Sequence, residues 1–172
     1  SGMAAGGGKP VFGVYSSFLQ RAFDQISQDL CIDKNPAVLL VFEGSVYGMN
    51  DVTHLGLQDI PMISNIPNLV YLAPTNREEY LAMLAWGLEQ TEYPVAIRVP
   101  GGPMLSCGSS FAWDSTKTGR WATVQSGSDA AIIGLGAFYP LALEAAEELK
   151  QMYGIQPTVV KPYSITALDI TL

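Results

Sequence analysis

The chain alternates short apolar runs with stretches of helical spacing, starting with Val11-Phe12-Gly13-Val14-Tyr15. At Ser16-Ser17 the period changes, and Phe18, Leu19, Ala22, Phe23, Ile26 and Leu30 follow helical spacing. This predicts a strand feeding a helix, with Ser16 or Ser17 as N-cap. Asn35-Pro36 breaks the chain, and Ala37-Val38-Leu39-Leu40-Val41-Phe42 is apolar without interruption, as in a strand covered on both faces. Residues 43–68 are rich in Gly, Asn, Asp, Ser and Pro and keep no period. They predict a connection far longer than the usual ~4 to 6 residues, and long ordered loops tend to carry function. Leu69-Val70-Tyr71-Leu72-Ala73 reads as a third strand ended by Pro74. Thr75-Asn76-Arg77-Glu78 reads as a capping box opening a helix with Tyr80, Leu81, Leu84 and Leu88 on one face. Pro94-Val95-Ala96-Ile97-Arg98-Val99 is the next strand, closed by Pro100-Gly101-Gly102-Pro103.

Residues 104–120 turn small and polar and predict a linker. Beyond it the alternation restarts, with Ala130-Ala131-Ile132-Ile133-Gly134-Leu135 as strand. A helix over 140–153 follows, with Pro140 in its first turn and Gly154 closing it, and then Pro157-Thr158-Val159-Val160 as strand. One strand-helix-strand unit does not bury its own faces, so this second domain is expected to be incomplete. The predicted fold class is α/β, a parallel sheet wrapped by helices over residues 1–103. The linker 104–120 then leads into the start of a second α/β domain over 121–172. Ligands of such sheets bind outside the carboxyl ends of the strands, which singles out residues 15–18, 43–56, 74–76 and 98–102.

Composition narrows the partners. With 48% hydrophobic and 15% charged residues, the 172-residue chain buries enough surface to offset its ordering entropy, which excludes a disordered tail. Nine Lys and Arg against sixteen Asp and Glu give a charge of -7, and the cations are scattered singly, so no basic face exists for nucleic acid. No apolar run approaches the ~20 residues of a membrane helix. The opening Ser1-Gly2-Met3-Ala4-Ala5-Gly6-Gly7-Gly8 has no basic region followed by an apolar core, so no signal peptide is read there and cytoplasm is the default. Cys31 and Cys107 are expected as free thiols, and a single histidine, His54, leaves no Cys/His zinc cluster.

Three features bear on chemistry. His54, in Asp51-Val52-Thr53-His54-Leu55-Gly56, lies in the long loop at the ligand edge, where an imidazole shuttles a proton or bonds a substrate oxygen; the alternative is a solvated or structurally bonded histidine. Tyr15 and Phe18 flank the first strand-to-helix turn, placed either in the core or to stack on a heteroaromatic ring. Gly134-Leu135-Gly136 follows a strand and precedes a helix, but Tyr139 replaces the third glycine of a dinucleotide fingerprint. It reads as a plain tight turn.

Tyr15-Ser16-Ser17-Phe18-Leu19-Gln20-Arg21-Ala22-Phe23-Asp24-Gln25 closely resembles the Y-S-T-F-L-Q-R-A-Y-D-Q segment of the 1-deoxy-D-xylulose-5-phosphate synthases, a branch of the thiamine-diphosphate-dependent transketolase family. The resemblance continues through Gly7-Gly8-Lys9-Pro10, Thr53-His54-Leu55-Gly56, Val70-Tyr71-Leu72-Ala73-Pro74-Thr75, residues 94–100, and Val160-Lys161-Pro162 with Leu168-Asp169. It implies that residues 1–103 are a pyrimidine-binding domain and that 121–172 open the family's C-terminal domain. It further implies that Phe18 stacks on the aminopyrimidine ring of thiamine diphosphate, with Tyr15 and Arg21 beside it, and that Tyr15, His54 and Asn50 meet the substrate. His54 is the implied catalytic residue. The implied reaction joins a pyruvate-like 2-oxo donor to an aldehyde acceptor, the cofactor supplying the difficult chemistry and the protein orienting and protonating.

The departures from the family pattern are informative. Phe42-Glu43 stands where the family has Asp-Arg, Asn50 where it has Asp, and Gly101 at the second arginine of its R-Y-P-R-G run. In the family the two replaced arginines hold the acceptor's phosphate. Losing both should weaken a dianionic acceptor by several kcal/mol, at roughly 1.5 to 3 per charge-assisted bond. The family's activating glutamate and its G-D-G motif, which binds Mg2+ and the diphosphate, are expected upstream of Ser1 or on a partner chain. The chain is therefore expected to be inactive alone and to work in a homodimer. Two other readings stay open: a beta-chain-like component of a 2-oxo-acid dehydrogenase, and a non-catalytic dimerisation or regulatory module.

Overall fold

The computed structural model describes residues 1–46, 52–167 and 169. After a short helix α1 (Gly2–Ala5), four strands form one parallel sheet: β1 (Val11–Tyr15), β2 (Val38–Phe42), β3 (Val70–Leu72) and β4 (Val95–Arg98), in the order β1-β2-β4-β3. The uninterrupted apolar run of β2 has a direct explanation. Its alternate residues face two cores: Leu39 and Val41 lie in one with Leu19, Ile26, Ile63 and Tyr71, while Val38 lies in the other with Leu72, Met83, Val95 and Ile97.

The segment predicted as one helix after β1 is helical but not uniform. It opens as a 3-10 helix (Ser16–Ala22), passes through α2 (Phe23–Gln25) and ends as a π-helix (Ile26–Ile32). Ser16 does not cap it: the hydroxyl instead donates to the Glu43 carbonyl at 3.0 Å, tying the helix start to the end of β2. Within the long connection lie a 3-10 turn (Val52–His54) and α3 (Asp59–Ile63). Helix α4 (Arg77–Glu89) starts one residue later than the predicted box. Asn76 is the N-cap, its Oδ1 accepting from the Glu79 N–H at 2.9 Å, and the Glu79 carboxylate returns to the Thr75 N–H at 2.8 Å. The buried line of α4 is accordingly Glu79, Met83 and Gly87, and Leu81 is exposed rather than on the core face.

The second sheet contains β5 (Trp121–Gln125), β6 (Ala130–Ile133) and β7 (Pro157–Pro162), in the order β5-β7-β6, and is covered by α5 (Tyr139–Tyr153). Strand β5, antiparallel to β7, has no continuous apolar run to mark it in the sequence, because Thr123 and Gln125 interrupt it. Helix α5 ends as predicted at Gly154, whose φ of 69° suits glycine. The Gly134 position is also a packing requirement. A Cβ there would stand 2.8 Å from both Tyr139 Cα and Ala142 Cβ, so this glycine lets α5 approach the sheet.

The two sheets are joined closely. Beyond β7 the chain runs antiparallel to β3: Ala73 N–H donates to Tyr163 O at 3.0 Å and Ile165 N–H to Tyr71 O at 2.8 Å. The segment 104–120, expected as a linker, is coil apart from a 3-10 turn (Ser115–Lys117), but it is packed. Trp113 is buried against Trp86 and Tyr163, at ring-centroid distances of 6.2 and 5.6 Å.

Ser106 Oγ and Cys107 N–H both donate to Glu78, and these bonds hold its carboxyl at about 2, below the ordinary 4.5. A depressed carboxyl stabilises the fold above its ordinary pKa, and this contribution fades as pH falls toward 2. Ser106→Ala is expected to move the Glu78 titration back toward 4.5, as followed by NMR of its carboxyl carbon; an unmoved midpoint would refute the assignment.

Candidate functional site

At the carboxyl end of β1 the chain enters a 3-10 helix, and this local choice builds the site. Residues three apart eclipse one another in a 3-10 helix. Tyr15, Phe18 and Arg21 therefore stack along one line: the Tyr15 and Phe18 rings are 6.3 Å apart edge-on, and the Arg21 guanidinium lies 5.2 Å from the Phe18 centroid. The turn Val52–His54 brings His54 to the same cluster, 5.3 Å from Phe18 and 6.3 Å from Tyr15, nearly perpendicular to both. Tyr15 is 47% exposed, while Phe18 and His54 are half-buried, so the cluster forms a wall open to a ligand. Thr53 Oγ1 lies 2.8 Å from His54 Nδ1; when the hydroxyl donates there, the ring's proton is on Nε2. Asn50, the remaining predicted site residue, lies outside the described residues.

The loop that carries His54 is pinned at its base. Gly56 N–H donates to Ser45 O at 3.2 Å. From the end of β4, Arg98 reaches inward, donating from Nη2 to Gly56 O at 2.6 Å and from Nε to Asp59 Oδ2 at 2.7 Å. The Tyr71 hydroxyl donates to the same Asp59 oxygen at 2.5 Å. All three side chains are buried, and burial, with the Asp59 charge second, pushes the Tyr71 hydroxyl well above its ordinary pKa. Gly56 permits this closure: a Cβ on it would fall 2.0 Å from Glu43 O. Sequence reasoning marked Arg98 as an edge position but missed its network with Asp59 and Tyr71. The available signal was a charged residue ending an otherwise apolar strand.

The charge of the site follows. Residues 43–68 contain no Lys or Arg, and Glu43 adds a carboxylate at the end of β2. Arg98 is spent inward on Asp59 and Gly56. Arg21 is the cation seen in the aromatic cluster. Next to Phe18, the Ser17 hydroxyl oxygen is buried with no hydrogen-bond partner among the described residues. Also among the described residues, no group of three or more His, Cys, Asp or Glu side chains converges as a metal site would require. Cys31 and Cys107 are free thiols, and burial pushes Cys31 up to about 11. No helix among the described residues is long and apolar enough to cross a membrane.

Comparison with known proteins gives a consistent outcome. Residues 1–102 match the family described as "Transketolase, pyrimidine binding domain", and residues 119–172 match "Transketolase, C-terminal domain". The chain is 39% identical over 169 residues to a 1-deoxy-D-xylulose-5-phosphate synthase of Clostridium botulinum (strain Alaska E43 / Type E3), covering 98% of this chain and 27% of that protein. It is 36% identical over 169 residues to the protein of the same name from Clostridium acetobutylicum, with the same two coverages. Among solved structures it is similar to a split-gene transketolase described as an inactive beta4 tetramer, with a TM-score of 0.78 and 25% identity, over 93% of this chain and 50% of that one. The chain thus spans about a quarter of the length of the curated relatives it matches.

Proposed function

The chain belongs to the transketolase family, and from that premise we propose that the whole protein is a thiamine-diphosphate-dependent transferase joining a pyruvate-like 2-oxo donor to an aldehyde acceptor. The observation that carries this reading is the Tyr15-Phe18-His54 cluster at the carboxyl edge of a parallel sheet. The cluster fits the ring end of the cofactor: a half-buried phenylalanine flanked by a second aromatic ring and an arginine, next to the Ser17 hydroxyl, which has no partner among the described residues. The metal-held end of the cofactor belongs, by the family resemblance, to a G-D-G motif that residues 1–172 do not carry. Mg2+ and the diphosphate are accordingly assigned to chain outside residues 1–172, in an N-terminal domain or a partner, within a cytoplasmic homodimer acting on small molecules.

Within this reading Phe18 holds the aminopyrimidine ring, Tyr15 and Arg21 border it, and His54 binds the substrate oxygens and moves protons at Nε2, with Asn50 on the substrate side. When bound, thiamine diphosphate supplies the carbanion chemistry that no side chain offers. Glu43 and the cation-free loop favour an acceptor aldehyde without a phosphate. The test supplies the complete protein with thiamine diphosphate, Mg2+ and pyruvate, and compares glyceraldehyde with its 3-phosphate. Aldehyde-dependent CO2 release is expected, faster with the unphosphorylated acceptor. No release with either aldehyde would sink the transferase reading, and preference for the phosphate would sink the acceptor alone. Phe18→Ala should raise the cofactor Kd by about 5- to 150-fold, the range for losing one aromatic stack, as measured by calorimetry. An unchanged Kd would remove Phe18 from the site.

A further inference from the structure

Both walls of the Tyr15-Phe18-His54 cluster are fastened to one short segment, residues 43–45. Ser16, two positions before Phe18, donates its hydroxyl to Glu43 O at 3.0 Å, and Gly56, two positions after His54, donates its N–H to Ser45 O at 3.2 Å. Between these two bonds, Gly44 N–H donates to Val99 O at 2.8 Å, beside the residue that closes the loop from behind, Arg98. We infer that Arg98 is a positioning residue: by holding Gly56 against residues 43–45, it sets where the His54 imidazole stands relative to the Phe18 ring. The inference rests on the reading of His54 as the group that moves protons, and adds that a buried cation which the substrate never meets puts that group in place.

Three observations carry it. Arg98 donates from Nε to Asp59 Oδ2 at 2.7 Å and from Nη2 to Gly56 O at 2.6 Å. A guanidinium is planar and rigid, so the carboxylate that fixes Nε also fixes the direction of Nη2. Asp59 is itself held by the hydroxyl of the fully buried Tyr71 at 2.5 Å.

The backbone is also cleared for this closure. A Cβ on Gly44 would lie 2.3 Å from Arg98 Cγ, and one on Gly56 would lie 2.0 Å from Glu43 O and 2.4 Å from Ser45 N. Neither glycine has a positive φ, so close approach, not backbone freedom, requires them. Finally, a buried ion pair is a weak source of stability by itself. Arg98 is 8% exposed and Asp59 1%, and the guanidinium places its remaining short bond on a carbonyl of the loop that carries His54, where little water competes for it.

The test uses the complete protein with thiamine diphosphate and Mg2+. Arg98→Lys keeps a charge opposite Asp59 but replaces the fork by a single nitrogen. It should lower kcat about 10²-fold, the scale for a reacting group displaced by ~1 Å, with the cofactor Kd within about threefold of wild type. Added to His54→Ala it should lower kcat no further, because a residue acting through His54 then has nothing to place. Tyr71→Phe keeps the Asp59–Arg98 pair and removes one bond to it, so it should lower kcat about 2- to 10-fold, again with no effect in the His54→Ala background. It also serves if Arg98→Lys does not fold. The ring signal of His54, followed by NMR with histidine labelled at Cε1 and assigned by its loss in His54→Ala, should shift in both variants without any turnover. A wild-type protein without turnover would end the transferase reading, and the His54 signal would then decide the placement by itself. An unshifted His54 signal, an unchanged kcat in both variants, or losses that multiply with that of His54→Ala would each overturn the inference.

Discussion

Lys161→Met is expected to lower the free energy of unfolding by about 3–5 kcal/mol, the range for a buried charge left without its partner. Lys161 Nζ donates to Glu79 Oε1 at 2.5 Å, with side-chain exposures of 10% and 1%. The other Glu79 oxygen accepts from the Thr75 backbone N–H and hydroxyl, and the ammonium lies 5.1 and 4.9 Å from the Tyr139 and Tyr163 centroids. The pair therefore fastens β7 of the second sheet to the first turn of α4. Burial works against the lysine's charge, but the hydrogen bond and charge of Glu79 outweigh it and raise the pKa above 10.5. A raised lysine stabilises the fold fully below 10.5 and loses that contribution only as pH climbs through the higher folded value, so the loss on mutation should be flat across neutral pH. Denaturant unfolding of the single variants and of the Lys161→Met/Glu79→Leu double variant checks this. The double variant should recover much of the loss, because it leaves no orphaned charge. A single-variant change below about 1 kcal/mol, the value of a surface pair, would show that the pair is not buried in solution.

His54→Ala is expected to reduce kcat of the complete protein by about 10²- to 10⁴-fold, the usual contribution of a positioned acid–base group. The imidazole meets Phe18 only edge-on, at 5.3 Å, so its removal should leave the cofactor Kd within a few-fold of wild type while Phe18→Ala moves it strongly. The split between kcat and cofactor Kd separates a residue acting on substrate from one holding the ring. If His54→Ala retains wild-type kcat, the imidazole is a structural member of the cluster, bonded to Thr53 and packed on Phe18.

Much of the candidate site was legible in the sequence because its assembly depends on local order. The carboxyl edge of a parallel sheet follows from apolar runs alternating with helical spacing, and that edge includes Tyr15, Phe18 and the loop with His54. The alignment of Tyr15, Phe18 and Arg21 was not legible in the same way. It depends on a 3-10 start that the apolar spacing, compatible with an ordinary helix, did not announce. The capping frame at α4 shifted by one residue for a related reason: Thr75 and Asn76 are both competent caps, and the Glu79 carboxylate, committed to Lys161, selects the second. Leu81 was misplaced because one apolar residue on a helix surface needs no core partner.

The sequence by itself determined the α/β class, the strands of the first sheet, the aromatic and imidazole residues at its edge, and the acidic character of the loop beside them. Each is set by the identity and spacing of neighbours in the chain. Only the tertiary structure decided that Arg98 turns inward to Asp59 and Gly56, that Lys161 reaches Glu79, that residues 163–166 run along β3, and that the polar segment 104–120 is packed through Trp113. These are pairings between residues tens of positions apart. Hydrophobic periodicity reports which way a residue faces, but not which distant group is brought to meet it; that depends on how the elements pack and on the cost of leaving a buried charge or hydroxyl unpaired.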